Sequence, residues 1–263
     1  MAVLLELVLL LIFIFIWFRP VLKRQKEVGG YVDKKAKITA LLLGLVPATI
    51  VLLLCEIGLG WVFKLSGISD HRMLNAVLKA FVMYGVIEEL TKYAFAHPIL
   101  KKYETLKKID IMVIFGFVGM GYEIAESLIL GNPFAGIVRG IFVAHIMYQF
   151  IMGHFFYESI RAQNQGNEAF AKRNRIFCLA IPILIHGVND CVCEVMSVIV
   201  EADPSIAESA MPTGNMPPGP AIAIIGCNVA LLLINLSCLI WGLKLAKKDP
   251  EVEVTLAWDK KNK

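Results

Sequence analysis

The chain has 263 residues; hydrophobic types make up 57% of it, charged types 18%, and the mean hydropathy is +0.68. Soluble domains of this size carry about a quarter charged residues, so the composition excludes disorder, a collagen-like repeat and a disulfide scaffold, and points to lipid as the solvent. The net charge of +4 gives no basis for a nucleic-acid partner. Six cysteines (55, 178, 191, 193, 227 and 238) all lie in apolar runs and read as small hydrophobic fillers, because no paired Cys-x-x-Cys exists to make a zinc ribbon or redox motif.

In chain order, seven apolar runs are candidates for spanning helices, at about 2–18, 38–63, 73–98, 110–130, 135–157, 176–200 and 220–245. The first is short, has no basic residue before it and no small-residue cleavage site after it, so it reads as an N-out anchor rather than a cleaved signal peptide. The runs are too long and continuous for barrel strands, which predicts an all-α, polytopic helix bundle. The connections alternate in charge. Those after the first, third and fifth runs, together with the tail, hold 21 of the 26 basic residues, whereas Glu201–Pro220 has no Lys or Arg. The positive-inside rule then predicts an outer N-terminus and a cytosolic C-terminus. Residues 1–247 are expected to form one transmembrane domain, and 248–263 a polar, loose cytosolic tail. Gly136 and Gly140, with Gly116, Gly119 and Gly121 in the fourth run, read as close helix contacts.

What interrupts the apolar runs is more informative. The third holds Glu88, Glu89 and Lys92, the fourth Glu123 and Glu126, the fifth Arg139 and His145, and the sixth His186, Asp190 and Glu194. Six of these charges, left unpaired at mid-bilayer, would cost roughly 15–20 kcal/mol on insertion scales. They must therefore meet inside the bundle. The spacing agrees: 88/92, 89/92, 123/126 and 186/190 are three- or four-residue steps on one helix face, and Glu88, Glu123, His145 and His186 are expected in the middle third of the bilayer. Five carboxylates facing one lysine need further balance, from protonation of some acids, from protonated histidines or from a divalent cation. Two histidines and a glutamate form a set that binds catalytic zinc with an open position. A proton or cation pathway would use the same acids.

The third run reads Glu88-Glu89-Leu90-Thr91-Lys92, the fourth Tyr122-Glu123-Ile124-Ala125-Glu126, the fifth carries His145 with Gly153 eight residues on, and the sixth reads His186-Gly187-Val188-Asn189-Asp190. In this order, E-E-x-x-K, F-E-x-x-E (with Tyr122 for Phe), His and H-G-x-x-D resemble the PrsW family of intramembrane proteases, relatives of the CAAX prenyl endoproteases and bacteriocin-processing enzymes. The resemblance covers about 73–200. It implies peptide-bond hydrolysis inside the membrane, on a membrane-protein or lipid-anchored peptide substrate, by an integral, multi-pass protein of the cell membrane. It assigns catalytic roles to Glu88, Glu89, Glu123, His145, His186 and Asp190. Glu88 or Glu89 would act as general base, and Asp190 would orient His186. Lys92, Glu126 and Arg139 would support them. Under a metal-dependent mechanism, zinc would be held by His145, His186 and Glu123; without metal, the histidines would serve the oxyanion. The alternative to a peptidase is a proton-coupled or cation transporter built on the same acids. His71, His97 and His154 are expected to stand apart, and Glu194 shares the face of His186 nearer the outer surface.

Overall fold

The computed structural model describes residues 2–130, 142–202, 218–247 and 252–256. Its helices are α1 (Ala2–Glu27), α2 (Lys34–Leu45), α3 (Pro47–Leu65), α4 (Arg72–Leu78), a π-helical segment (Lys79–Glu88), α5 (Glu89–Leu100), α6 (Lys108–Leu130), α7 (Ala144–Asn164), α8 (Glu168–Ala202) and α9 (Pro218–Lys247). Two short strands, β1 (Thr105–Leu106) and β2 (Val254–Thr255), complete them. The fold is all-α, as the composition predicts.

Local chemistry sets the boundaries. The Asp33 carboxylate caps α2 by accepting the Ala36 amide at 2.7 Å. Pro47 has no N–H to continue the ladder, so α2 and α3 meet at a proline kink within the single apolar stretch Lys34–Leu65. The third predicted run is one unbroken helical path, Arg72 to Leu100, whose middle widens into the π segment. Such π turns are rare and cluster at functional sites.

Among the described residues, four helical stretches are long and apolar enough to cross a membrane: Lys34–Leu65, Lys108–Leu128, Glu168–Ala202 and Ile222–Lys247. Their burial runs against their hydropathy. The window in Lys34–Leu65 has a hydropathy of 2.6 and is 17% buried, while that in Lys108–Leu128 has 1.5 and is 78% buried. The most apolar helices thus lie outermost, displaying side chains such as Leu54, Ile57, Trp61, Ile222 and Ile225. α6 and α7 form the centre. They feed two hydrophobic clusters: Met112, Val113, Phe150 and Ile151 pack with α1 and α9, and Ile114, Phe115, Val118 and Phe156 pack with α2 and α5. α2 crosses α6 at Gly44 and Gly121, where a Cβ on Gly121 would sit 2.2 Å from the Leu41 carbonyl oxygen.

The basic connections gather at one end. The buried Asp110 carboxylate accepts the Tyr31 and Val32 amides at 3.1 and 3.2 Å and the Gln25 side-chain amide at 2.7 Å, tying the α1–α2 turn to the start of α6. Lys108 Nζ donates to the Leu245 carbonyl of α9 at 2.7 Å. The tail departs from the expected loose segment. Val252-Glu253-Val254-Thr255-Leu256 alternates in polarity like a strand, and β2 pairs antiparallel with β1, with Val254 opposite Leu106. Val254 and Leu256 are buried, the Tyr157 hydroxyl donates to the Val252 carbonyl at 2.8 Å, and the Tyr31 hydroxyl bonds Glu253. That bond to a carboxylate raises the Tyr31 pKa above its ordinary value.

Candidate active site

The π segment ends at Glu88 and α5 begins at Glu89, so the two glutamates straddle a change of helical pitch. They point to different partners. Glu89 Oε1 accepts Lys92 Nζ at 2.7 Å and meets His186 Nδ1 at 2.9 Å, and its Oε2 accepts Gln149 Nε2 at 2.7 Å. Glu88 Oε2 is 3.3 Å from Lys92 Nζ and 3.9 Å from His186 Nε2. Lys92, fully buried, also reaches His145 Nδ1 at 2.8 Å, with its ammonium 4.2 Å from the centre of the Tyr122 ring.

α8 brings in His186, whose Nε2 lies 3.2 Å from Asp190 Oδ2, one turn along the same helix. Close approach of α8 to the π segment is possible because Gly85 faces Gly187; a Cβ on Gly85 would lie 3.0 Å from the Ile183 carbonyl oxygen and 3.4 Å from the Gly187 Cα. α7 brings in His145 at its second position. The His145 amide, one of the free donors at a helix start, donates to Glu123 Oε2 of α6 at 2.9 Å. The His145 Nε2 faces Glu126 Oε2 at 2.5 Å. Just before it, Val143 has φ 44°, a conformation a β-branched residue adopts only under constraint from its surroundings. The two imidazole rings stand 5.0 Å apart at 78°.

Glu88, Glu89, Lys92, Glu123, His145, His186 and Asp190 are therefore buried together, with Glu126 at their edge. Arg139, Gly136 and Gly140 lie outside the described residues. His71 is exposed, and His97 stacks on Tyr93 at 5.7 Å away from the centre. Glu194 forms an ion pair with Lys79 at 3.5 Å. Sequence reasoning passed over Gln149, although it is one turn after His145 on the same face, because an uncharged amide does not stand out in an apolar run. It also passed over Tyr148, whose ring lies 5.2 Å from His186.

The donor set suits a metal ion. Ligand atoms from Glu88, His145 and His186, all buried, lie within 4.8 Å of one another, and Glu89 on the other nitrogen of His186 is the kind of partner that orients a ligating imidazole. The carboxylate grouped with the histidines is Glu88, whereas the family resemblance, under a metal-dependent mechanism, points to Glu123, whose Oε2 accepts the His145 amide at the start of α7.

Apolar spans around a buried centre of carboxylates and imidazoles mark an integral membrane protein. The sequence profile of the PrsW family intramembrane metalloproteases matches residues 34–207, and the chain belongs to that family. Two relatives, each named Protease PrsW, align with it. One, from Clostridioides difficile, is 26% identical over 42% of this chain and 50% of its own length. The other, from Halalkalibacterium halodurans, is 24% identical over 48% of this chain and 59% of its own. The chain spans about half the length of the curated relatives it matches. No solved structure matches it.

Proposed function

We propose that this chain is an intramembrane endopeptidase that hydrolyses peptide bonds of membrane-embedded or lipid-anchored substrates at the Glu/His centre. One observation carries the reading: Glu88, Glu89, His145 and His186, from three separate parts of the chain, converge in one buried pocket beside a cleft. The bundle crosses the cell membrane seven times with its N-terminus outside. The gathering of basic connections at the α6 start and α9 end supports that orientation.

Glu88, His145 and His186 would hold the metal. When bound, a zinc-like ion supplies Lewis-acid polarisation of the scissile carbonyl and of a water. The chain's own residues position and move protons. Glu89 holds the His186 ring and Lys92 the His145 ring, each at Nδ1, so that each Nε2, which otherwise faces Asp190 or Glu126, would be the ligand atom, and Glu123 fixes the start of α7. The attacking water gives its proton to a carboxylate on the cleft wall, which is Glu88, or Glu126 when Glu88 serves as ligand. That carboxylate returns the proton to the leaving nitrogen as the C–N bond breaks, so water is added across the amide.

The test uses the full chain in proteoliposomes with a quenched-fluorescence transmembrane peptide. Glu88→Gln, Glu89→Gln, His145→Ala and His186→Ala are each expected to lower kcat/KM by about 10²–10⁴-fold while the protein still inserts. Full cleavage by all four would sink the assignment. Proton or cation flux without cleavage, lost in the same variants, would establish the transporter instead.

A further inference from the structure

A groove of about 520 Å³ runs along the outside of the bundle between α1 and α6. Its floor is aromatic. Phe18 sinks to 2% exposure, its ring centre 4.9 Å from that of Phe117 and 5.4 Å from that of Phe150. The floor lies deep because position 116 is glycine: a Cβ there would meet the Phe18 ring at 2.8 Å and the Phe150 ring closer still. Leu11, Ile14 and Phe15 of α1 and Met120 of α6 form the apolar walls, and Leu11 and Phe15 stay exposed.

The groove changes character along its length. Arg19, Lys23 and Lys26 line its other end, on one face of α1 at steps of four and three residues. Among the described residues that line it there is no carboxylate. The Arg19 guanidinium lies 5.6 Å from the centre of the Phe15 ring, along the wall. Lys23 is 75% exposed and reaches the exposed Glu27, off the groove, at 3.7 Å. Gln25, beside Lys26, donates to Asp110 at 2.7 Å, so the cationic end is the end where α6 begins and the basic connections gather. The dimensions fit one leaflet. Leu11 to Lys26 is about 22 Å of helix, and half a bilayer with its headgroups is about 20–22 Å thick.

We infer that this groove binds one anionic glycerophospholipid of the leaflet on that side: an acyl chain lies over Phe18 between Phe15 and Met120, and the headgroup phosphate accepts hydrogen bonds from Arg19, Lys23 and Lys26. Lysine stems rest on apolar surface while their ammonium groups stay at the phosphate level, which suits that division. Any lipid tail fits the apolar half; the three cations select the headgroup. A zwitterionic headgroup brings a cation of its own to the same place, and an anionic one does not. The site needs only that the chain lie in a membrane, so it goes beyond the peptidase reading and stands independently of it.

The experiment sets dioleoylphosphatidylglycerol against dioleoylphosphatidylcholine, which share their tails, on the full chain in detergent, with retained lipid counted by native mass spectrometry. The wild type is expected to prefer the anionic lipid at least tenfold. That ratio should fall to threefold or less in Arg19→Gln/Lys23→Gln/Lys26→Gln. It should persist in Arg19→Lys/Lys23→Arg/Lys26→Arg, and in Lys34→Gln/Lys35→Gln/Lys102→Gln, which removes as much charge from the same end of the bundle outside the groove. Met120→Trp, which narrows the apolar half, should lower retention of both lipids. A photoreactive phosphatidylglycerol on the wild-type chain should crosslink to 11–26 and 116–120, a readout that does not depend on any variant folding. Equal retention of the two lipids overturns the inference, as do an equal loss of preference in the Lys34/Lys35/Lys102 variant, crosslinks confined to other helices, or displacement of the lipid by millimolar inorganic phosphate, which would mark a site for the free anion.

Discussion

Lys92 is the buried cation on which the centre balances, and Lys92→Met tests that directly. Its ammonium lies 2.7 Å from Glu89, 3.3 Å from Glu88 and 2.8 Å from His145, with no exposure. At these separations, and with an effective dielectric of about 20, each carboxylate contact is a Coulomb attraction of about 5–6 kcal/mol before desolvation. Desolvation cancels much of that in the intact protein. Removing one partner does not restore the water, so breaking a buried pair costs about 3–5 kcal/mol. Against a total stability of about 5–15 kcal/mol, this is a large fraction. Lys92→Met should therefore melt well below wild type in detergent micelles, followed by the fluorescence of the four tryptophans. Neutralising the glutamates as well, in Glu88→Gln/Glu89→Gln/Lys92→Met, should recover at least half of the loss, because the two carboxylates that Lys92 pairs with no longer carry charge. A Lys92→Met protein that melts with the wild type, or a triple variant no better than Lys92→Met, would refute the reasoning.

Gly121→Val should cost about 1–3 kcal/mol, read as a lower melting temperature, because its Cβ would meet α2 backbone at 2.2 Å; Gly58→Ala, with nothing within 4 Å, should be neutral or stabilising. Glu123→Ala should reduce cleavage about tenfold by releasing the His145 amide, and Glu123→Gln, which keeps an acceptor oxygen, should retain most of it. Deleting the chain after Lys247 should destabilise by about 3 kcal/mol through loss of the buried Val254 and Leu256, and should speed proteolysis near Leu106. The purified protein should carry about one zinc-like ion per chain by elemental analysis, and His145→Ala and His186→Ala should each lower that content at least tenfold.

The residues of the centre were legible because helical spacing is a local property. Glu88/Lys92 and His186/Asp190, each four apart, meet at 3.3 and 3.2 Å. Which carboxylate joins the histidines was not legible. It depends on how each helix is rotated, and the π segment before Glu88 breaks the 3.6-residue period from which rotation is read. Glu123 shares a face with Glu126, but its backbone-capping contact exists only because the start of α7 lies across from it. The apolar runs predict helices, and among the described residues four stretches are long and apolar enough to span a membrane, yet hydropathy does not say which helices lie inside. The five-residue alternation at 252–256 was too short to stand out from the polar tail.

That blindness of hydropathy to position has a physical reason that bears on the site. In lipid, the outer helices must be the most apolar, and α2–α3 and α9 are. A helix ringed by other helices meets protein instead, and can carry side chains that lipid would reject. α7 uses this freedom. It is buried along most of its length and holds His145, Tyr148 and Gln149 in successive turns, at a composition too polar to register as a span. The His145 ring meets Lys92 and Glu126 and the Gln149 amide donates to Glu89, while the Tyr148 hydroxyl and Gln149 Oε1 have no hydrogen-bond partner among the described residues. Glycines narrow the crossings that bring these groups together: a Cβ on Gly119 would lie 2.7 Å from the His145 carbonyl oxygen, and Gly85 faces Gly187 behind His186. The centre therefore depends on close backbone approach as much as on its charged residues. A bulky residue at Gly119 would press on the His145 backbone, one at Gly187 would press on the Phe81 ring, and either would separate the histidines without replacing any charged group.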